Sequence, residues 1–372
     1  MNFWKSFTLA LATVTLTACH DWNTELAQRL QQLDGENDAG ADGGSTDAGC
    51  QTPLCLAYTL PFRQSDEFRN AMVLGSHAFA VLADSVNFPS YLAVLRDGAV
   101  DLTPLDTSGG IAWGIAGHST DEFFLGLGSG AVRYGDGGVL EKTTQCGHML
   151  HTDPDWYCVS SGNRDEAVWV RGSSEVCTWS NTGTHFTGYD FSSLVATPAF
   201  LNLVKALSLP TGERFFGANE GGLLYWKAPG EPMLYRHALA ATNHATFTAL
   251  AGPDIDSVWA LADNGAVARW VPNSGDGGTW EARPSIPFFE GSVRDVWVRD
   301  NSDIWVAADK GQLMHYDGSR WNEVAAEGLN AKMDINVVVG SGPDDLLVAG
   351  AERPADGGFR SVLRYYRRGN EP

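Results

Sequence analysis

From Val293 to Val324 the chain reads VRDVWVRDNSDIWVAADKGQLMHYDGSRWNEV. Apolar and polar residues alternate through VRDVWVR, the period of two expected of a strand with one buried face. DNSD supplies turn residues, IWVAAD is an apolar strand and KG turns again. QLMHYD alternates, GSR turns, and WNEV closes the stretch, which predicts one four-stranded antiparallel unit.

The same design recurs. Trp305 stands six residues before Gly311 and eleven before Tyr316; Trp259, Gly265 and Trp270 repeat that spacing, as do Phe215, Gly221 and Trp226. Phe124 and Gly130 match with Tyr134 one place early, and Trp169 and Trp179 match this shorter form with Glu175 in the glycine's place. Phe79 and Leu347 hold the equivalent strand position in two looser copies. The seven anchor residues Phe79, Phe124, Trp169, Phe215, Trp259, Trp305 and Leu347 are separated by 42 to 46 residues. That interval is in the range of propeller blades.

The expectation is therefore an all-β fold, a seven-bladed β-propeller of four-stranded antiparallel blades. Large apolar anchors suit buried strands, and Gly130, Gly221, Gly265 and Gly311 sit where a tight hairpin needs positive φ. Acidic residues before the anchors (Asp121, Glu122, Asp256, Asp303, Asp345, and Glu166 beside them) are expected to shape turns by accepting from nearby backbone N–H groups. After the last strand, FRSVLRYYRR, too few residues remain for a fourth. Leu56 to Phe62, LAYTLPF, alternates, so an N-terminal strand is expected to complete the last blade and hide two sheet edges.

Composition narrows the function. A formal charge of −20 and a sequence pI of about 4.7 would repel phosphate backbones, so nucleic acid is disfavoured as a partner. Seven acidic residues and one arginine of this balance lie between His20 and Gly49. Within that stretch, HDWNTELAQRLQQL spaces Trp22, Leu26, Leu30 and Leu33 as a short amphipathic helix or a weakly ordered stalk would. DGENDAGADGGSTDAG, polar and glycine-rich, cannot bury a core and reads as a flexible tether. The expected organisation is a signal peptide over 1–18, a stalk and linker over 19–49, and the propeller over 50–372.

At the N-terminus one lysine precedes an apolar run too short to span a bilayer comfortably, ending in Leu16-Thr17-Ala18-Cys19. This resembles a bacterial lipoprotein signal peptide, whose lipobox is Leu, a small or polar residue, Ala or Gly, then Cys. The resemblance implies cleavage before Cys19, diacylglycerol on its sulfur and an acyl chain on its new amino group. Several chains give stable anchoring, at about 0.8 kcal/mol per buried CH₂. His20, rather than Asp, after the cysteine favours the outer membrane in that family. An ordinary signal peptide with an incidental cysteine is the alternative.

Five further cysteines suggest an oxidising compartment. Cys50 and Cys55 could close a small loop at the domain's entrance, and Cys146 and Cys158 form the expected second pair. Cys158 and Cys177 are placed on the first and third strands of one blade, beyond bridging distance, which leaves Cys177 as a buried free thiol.

The densest group of ligand-type residues, Cys146, His148, His151, Asp153, Asp155 and Cys158, lacks the repeated pairs of a zinc site and reads as a disulfide-bonded loop. No metal, cofactor or catalytic set is assigned. NSGDGGTW (Asn273 to Trp280) resembles the Asp-box of sialidase-like propellers with one residue missing; such boxes are structural turns. Trp259, Trp297 and Trp305 read as core, and RYYRR (Arg364 to Arg368) as a solvated outer face. Across the blades the pattern resembles propeller repeats of predicted secreted bacterial proteins, including two-component-regulator and YVTN-type repeats; the Gly-His and Trp-Asp pairs of WD40 repeats are absent. The functional expectation is an outer-membrane lipoprotein whose propeller is a binding or assembly module for a protein or glycan. The competing class is a propeller-fold carbohydrate-active enzyme, a polysaccharide lyase or glycoside hydrolase, which would converge carboxylates, histidine and arginine at one mouth of the channel.

Overall fold

The computed structural model describes residues 54–61, 66–74, 77–84, 90–96, 99–105, 111–117, 119, 122–127, 130–135, 138–143, 158–170, 174–182, 186–194, 201–227, 232–236, 245–273, 277–287, 291–326, 328–340, 345–353 and 360–368. Strand β1 (Leu54–Pro61) comes first. Blade one follows as β2 (Asp66–Leu74), β3 (His77–Asp84), β4 (Ser90–Arg96) and β5 (Ala99–Leu105). Blade two is β6 (Ala112–Gly117), β7 (Glu122–Leu127), β8 (Gly130–Gly135) and β9 (Gly138–Thr143). Blade three is β10 (Cys158–Asn163), β11 (Glu166–Val170), β12 (Glu175–Ser180) and β13 (Phe186–Asp190). Blade four is β14 (Leu203–Ser208), β15 (Glu213–Ala218), β16 (Gly222–Lys227) and β17 (Met233–Arg236). Blade five is β18 (Phe247–Ala251), β19 (Trp259–Ala262), β20 (Val267–Pro272) and β21 (Gly278–Arg283). Blade six is β22 (Val293–Asp300), β23 (Asp303–Ala308), β24 (Leu313–Tyr316) and β25 (Trp321–Glu323). Last come β26 (Met333–Gly340), β27 (Asp345–Glu352) and β28 (Arg360–Arg368).

Each of these six blades is a four-stranded antiparallel sheet of consecutive strands. The remaining sheet is composite: its order is β26, β27, β28, β1, so both ends of the described chain share it. First strands pack side by side in a closed cycle, β2 on β6, β6 on β10, β10 on β14, β14 on β18, β18 on β22, β22 on β26 and β26 back on β2.

One register runs through the ring. Every anchor residue lies on the second strand of its sheet and is buried. Phe79 pairs with Met72, Phe124 with Ala116, Phe215 with Leu207, Trp259 with Ala251, Trp305 with Trp297 and Leu347 with Val339. In each case an extra residue bulges from the first strand three places before that partner: Arg69, Trp113, Val204, Thr248, Arg294 and Asn336. A bulge bends a strand and raises its twist, so the repeated bulge gives the inner strands a common bend. In blade three Trp169 pairs with Val159, and the matching position, Trp156, lies outside the described residues.

Cores lie between blades. Trp270, Phe215, Tyr225 and Phe247 fill the gap between blades four and five, and Val267, Val296, Ile304 and Val306 that between five and six. Each large side chain so buried contributes about 1.5–3 kcal/mol. Gly221, Gly265 and Gly311 have φ of 68°, 81° and 70° in the hairpins after the second strands. There the left-handed backbone excludes most side chains.

The cysteine expectation is corrected. Cys158 is a free, buried thiol, so it does not pair with Cys146, and Cys177 is disulfide-bonded rather than free. Strand parity explains the exchange: Cys158 faces Leu203 and Ala206 of blade four, whereas Cys177 faces Phe124 and Ala131 of blade two. Cys19, Cys50 and Cys146 lie outside the described residues, as do His148, His151, Asp153, Asp155 and the side chain of Cys55.

Candidate functional site

The turn-shaping expectation is corrected at Asp303 and Glu166. Asp303 accepts from Trp305 Nε1 at 2.9 Å, His315 Nε2 lies 2.8 Å from the same oxygen, and Arg299 Nε is 3.1 Å from the other. A carboxylate only accepts, so the His315 proton sits on Nε2. His315 also stacks on Trp305 with ring centroids 4.3 Å apart. The turn itself is shaped by Asp300, which accepts from the Ser302 hydroxyl and amide; these bonds hold its pKa below the usual carboxylate range. Glu166 ties two blades together through Arg214 Nη2 at 3.0 Å.

A second polar group occupies the ring's axis. Lys205 on β14 and Asp295 on β22 each follow a bulge, and Nζ meets Oδ1 at 2.9 Å. Strand β18 lies between them and carries small Ala249 at the matching position. The other oxygen of Asp295 accepts from Val338 N of β26 at 3.2 Å. Burial works against the Lys205 charge, yet Asp295 and its hydrogen bond keep the amine's pKa above the ordinary value. Cys158 lies close by, its sulfur accepting from Ala206 N at 3.4 Å; burial pushes this thiol up. These groups satisfy one another and join blades three, four, six and the composite sheet.

The third polar group is open. A cleft of about 480 Å³ lies between blades five and six, lined by Ser257, Trp259, Arg269 and Arg283 on one side and by Asp300, Asn301, Ser302, Tyr316 and Gly318 on the other. Ligand sites are commonly of this size. Pairing places Arg269 opposite both Trp259 and Glu281, with Arg283 two residues beyond Glu281, so all four share one sheet face. Arg269 Nη2 donates to the Asp256 carbonyl at 2.9 Å, and Arg283 Nη2 approaches Glu281 at 3.4 Å. The Nε–H groups of both arginines are buried without a hydrogen-bond partner. Asn301 fastens the floor, accepting from Trp259 Nε1 at 2.9 Å and donating to the Asp256 carbonyl at 3.0 Å.

Sequence reasoning placed Trp259 and Trp305 in the core, where they are. It passed over Arg269, Arg283, Lys205 and Asp295. The arginines had a signal: Arg269 falls four residues after the hairpin glycine, where His315 falls in blade six. Among the described residues no cluster of three or more His, Cys, Asp or Glu could hold a metal ion. In NSGDGGTW, residues 274–276 lie outside the described set, and Trp280 packs on Phe215 and Trp270.

No protein-family model matches this sequence, nor does any curated protein. Solved structures do. YCF48 from Cyanidioschyzon merolae is 15% identical with a TM-score of 0.58 over 82% of this chain and 97% of that one. YCF48 bound to D1 peptide is 15% identical with a TM-score of 0.55 over 87% and 99%. The WD40 repeats of RRP9 are 12% identical with a TM-score of 0.63 over 85% and 99%. At such identities the likeness is one of fold: this chain is an all-β propeller.

Proposed function

We propose that this protein is a lipid-tethered, extracytoplasmic propeller that binds a protein partner through the cleft between blades five and six. The observation that carries the reading is the cleft itself, where two arginines line a space of about 480 Å³ on an otherwise acidic molecule. Fold likeness to YCF48, one structure of which is bound to D1 peptide, supports a peptide-binding use of the ring without choosing the partner. The lipobox-like Leu16-Thr17-Ala18-Cys19 supports attachment at Cys19, with the polar stretch before residue 50 as a tether and the outer membrane as the site.

Crosslinking in intact cells from a photoreactive residue at Ser302 tests the cleft, with Cys19→Ser as the tether control. The expected result is a defined protein adduct from Ser302 and none from an outer-strand position such as Leu140. Equal adducts from both positions, or none, would overturn the reading. Cys19→Ser should release the chain from membranes; retention would overturn the tether.

A further inference from the structure

Blades two, five and six carry a cation or histidine opposite the anchor residue on the third strand: Arg133 opposite Phe124, Arg269 opposite Trp259 and His315 opposite Trp305. Two residues before the anchor, blade two has Glu122 and blade six has Asp303. Those carboxylates meet their partners directly: Arg133 Nε donates to Glu122 at 2.8 Å, and His315 Nε2 lies 2.8 Å from Asp303. Blade five has Ser257 at that place. Arg269 thus keeps the cation's position without the carboxylate two residues before the anchor, its Nε–H is orphaned, and the cleft opens at this point.

We propose, building on the reading of the cleft as a binding site, that its ligand is an acidic peptide whose carboxylate sits against Arg269 and Arg283, in the role Glu122 and Asp303 play in their own blades. A carboxylate matches the planar guanidinium fork. In the lining Arg269 and Arg283 face Asp300, and Glu281 lies 3.4 Å from Arg283, so there is no surplus of positive charge for a phosphate dianion and a monoanion suits the site better. A sugar acid is the competing ligand: Trp259 is only 2% exposed, which leaves the half-buried Tyr316 as the one ring of the lining on which a sugar could stack. Ser257 and Ser302 hydroxyls line the same space.

The probe is a display library of random peptides selected on the full chain. Enriched peptides are expected to share one fixed Asp, Glu or terminal carboxylate, and converting it to the amide should weaken binding at least about tenfold, the loss of a charge-assisted pair. Arg283→Gln and Arg269→Lys should each lose most of the affinity. Ser257→Asp restores the internal partner and should abolish binding while leaving the thermal midpoint unchanged or higher, so loss of binding there cannot be laid to misfolding. Enrichment without a fixed carboxylate, Ser257→Asp binding as well as wild type, or displacement by oligouronates at lower concentration than by the peptides would overturn the inference while leaving the cleft a binding site. No enrichment of any peptide would overturn both.

Discussion

Blade six surrounds the carboxylate of Asp303 with Trp305, His315 and Arg299, whereas blade five, with a tryptophan in the same register, gives Arg269 a backbone carbonyl and a serine two residues before the anchor. The axis resembles blade six: Lys205 and Val338 N together occupy both oxygens of Asp295. Closed groups of this kind hold the ring in one arrangement, because removing Asp303 or Asp295 strands donors that are buried or half-buried. An open group costs some stability and leaves hydrogen-bonding capacity for something outside the chain. Neighbouring copies of one blade plan thus separate a structural use of a position from a binding use.

The contrast can be broken most forcefully at the axis. Asp295→Ala leaves the half-buried Lys205 charge without its partner and should cost about 1.5–3 kcal/mol by denaturant titration. A Lys205→Met, Asp295→Leu double variant should recover most of that; a single variant within about 1 kcal/mol of wild type would show the pair to be incidental. Because the folded pKa of Lys205 is raised, its contribution is fully present below the ordinary lysine value of 10.5 and is lost as pH climbs through the higher folded value. Wild type should therefore lose stability more steeply than the double variant above that pH.

At blade six, Asp303→Leu strands the Trp305 and His315 donors and should cost about 1–3 kcal/mol, with an altered near-ultraviolet tryptophan signal. An unchanged signal and midpoint would remove the basis for calling that group closed. The smallest effects sharpen the comparison by their signs. Glu122→Gln should destabilise by about 1 kcal/mol or less, since its pair with Arg133 is partly solvated. Ser257→Asp should stabilise by a similar amount, through a new pair with Arg269. Equal signs for these two would mean the blades are not equivalent there.

The repeat was legible because its signals are local. A bulky second-strand residue and a glycine six places later arise from burial and from a left-handed turn, both properties of a short segment. The Lys205–Asp295 pair joins residues 90 apart, and only ring closure brings them together. Asp303 was misread because proximity to a turn suggested a turn role, when Trp305 two residues on was its partner. The cysteines differ from the expectation for a related reason: strand spacing does not report facing direction, and Cys158 and Cys177 address opposite neighbouring blades. The signal at Arg269 lies in the difference between blades five and six and in neither blade by itself.

Among the described residues, strand β1 is hydrogen-bonded to β28 alone and forms the outer edge of the composite sheet. Its departure would uncover the β28 edge, a ready template for another β1. Molecules crowded together can therefore trade first strands, giving intertwined dimers whose rings are unchanged in shape. The rate of that exchange should follow the lifetime of this single clasp rather than the stability of the blades.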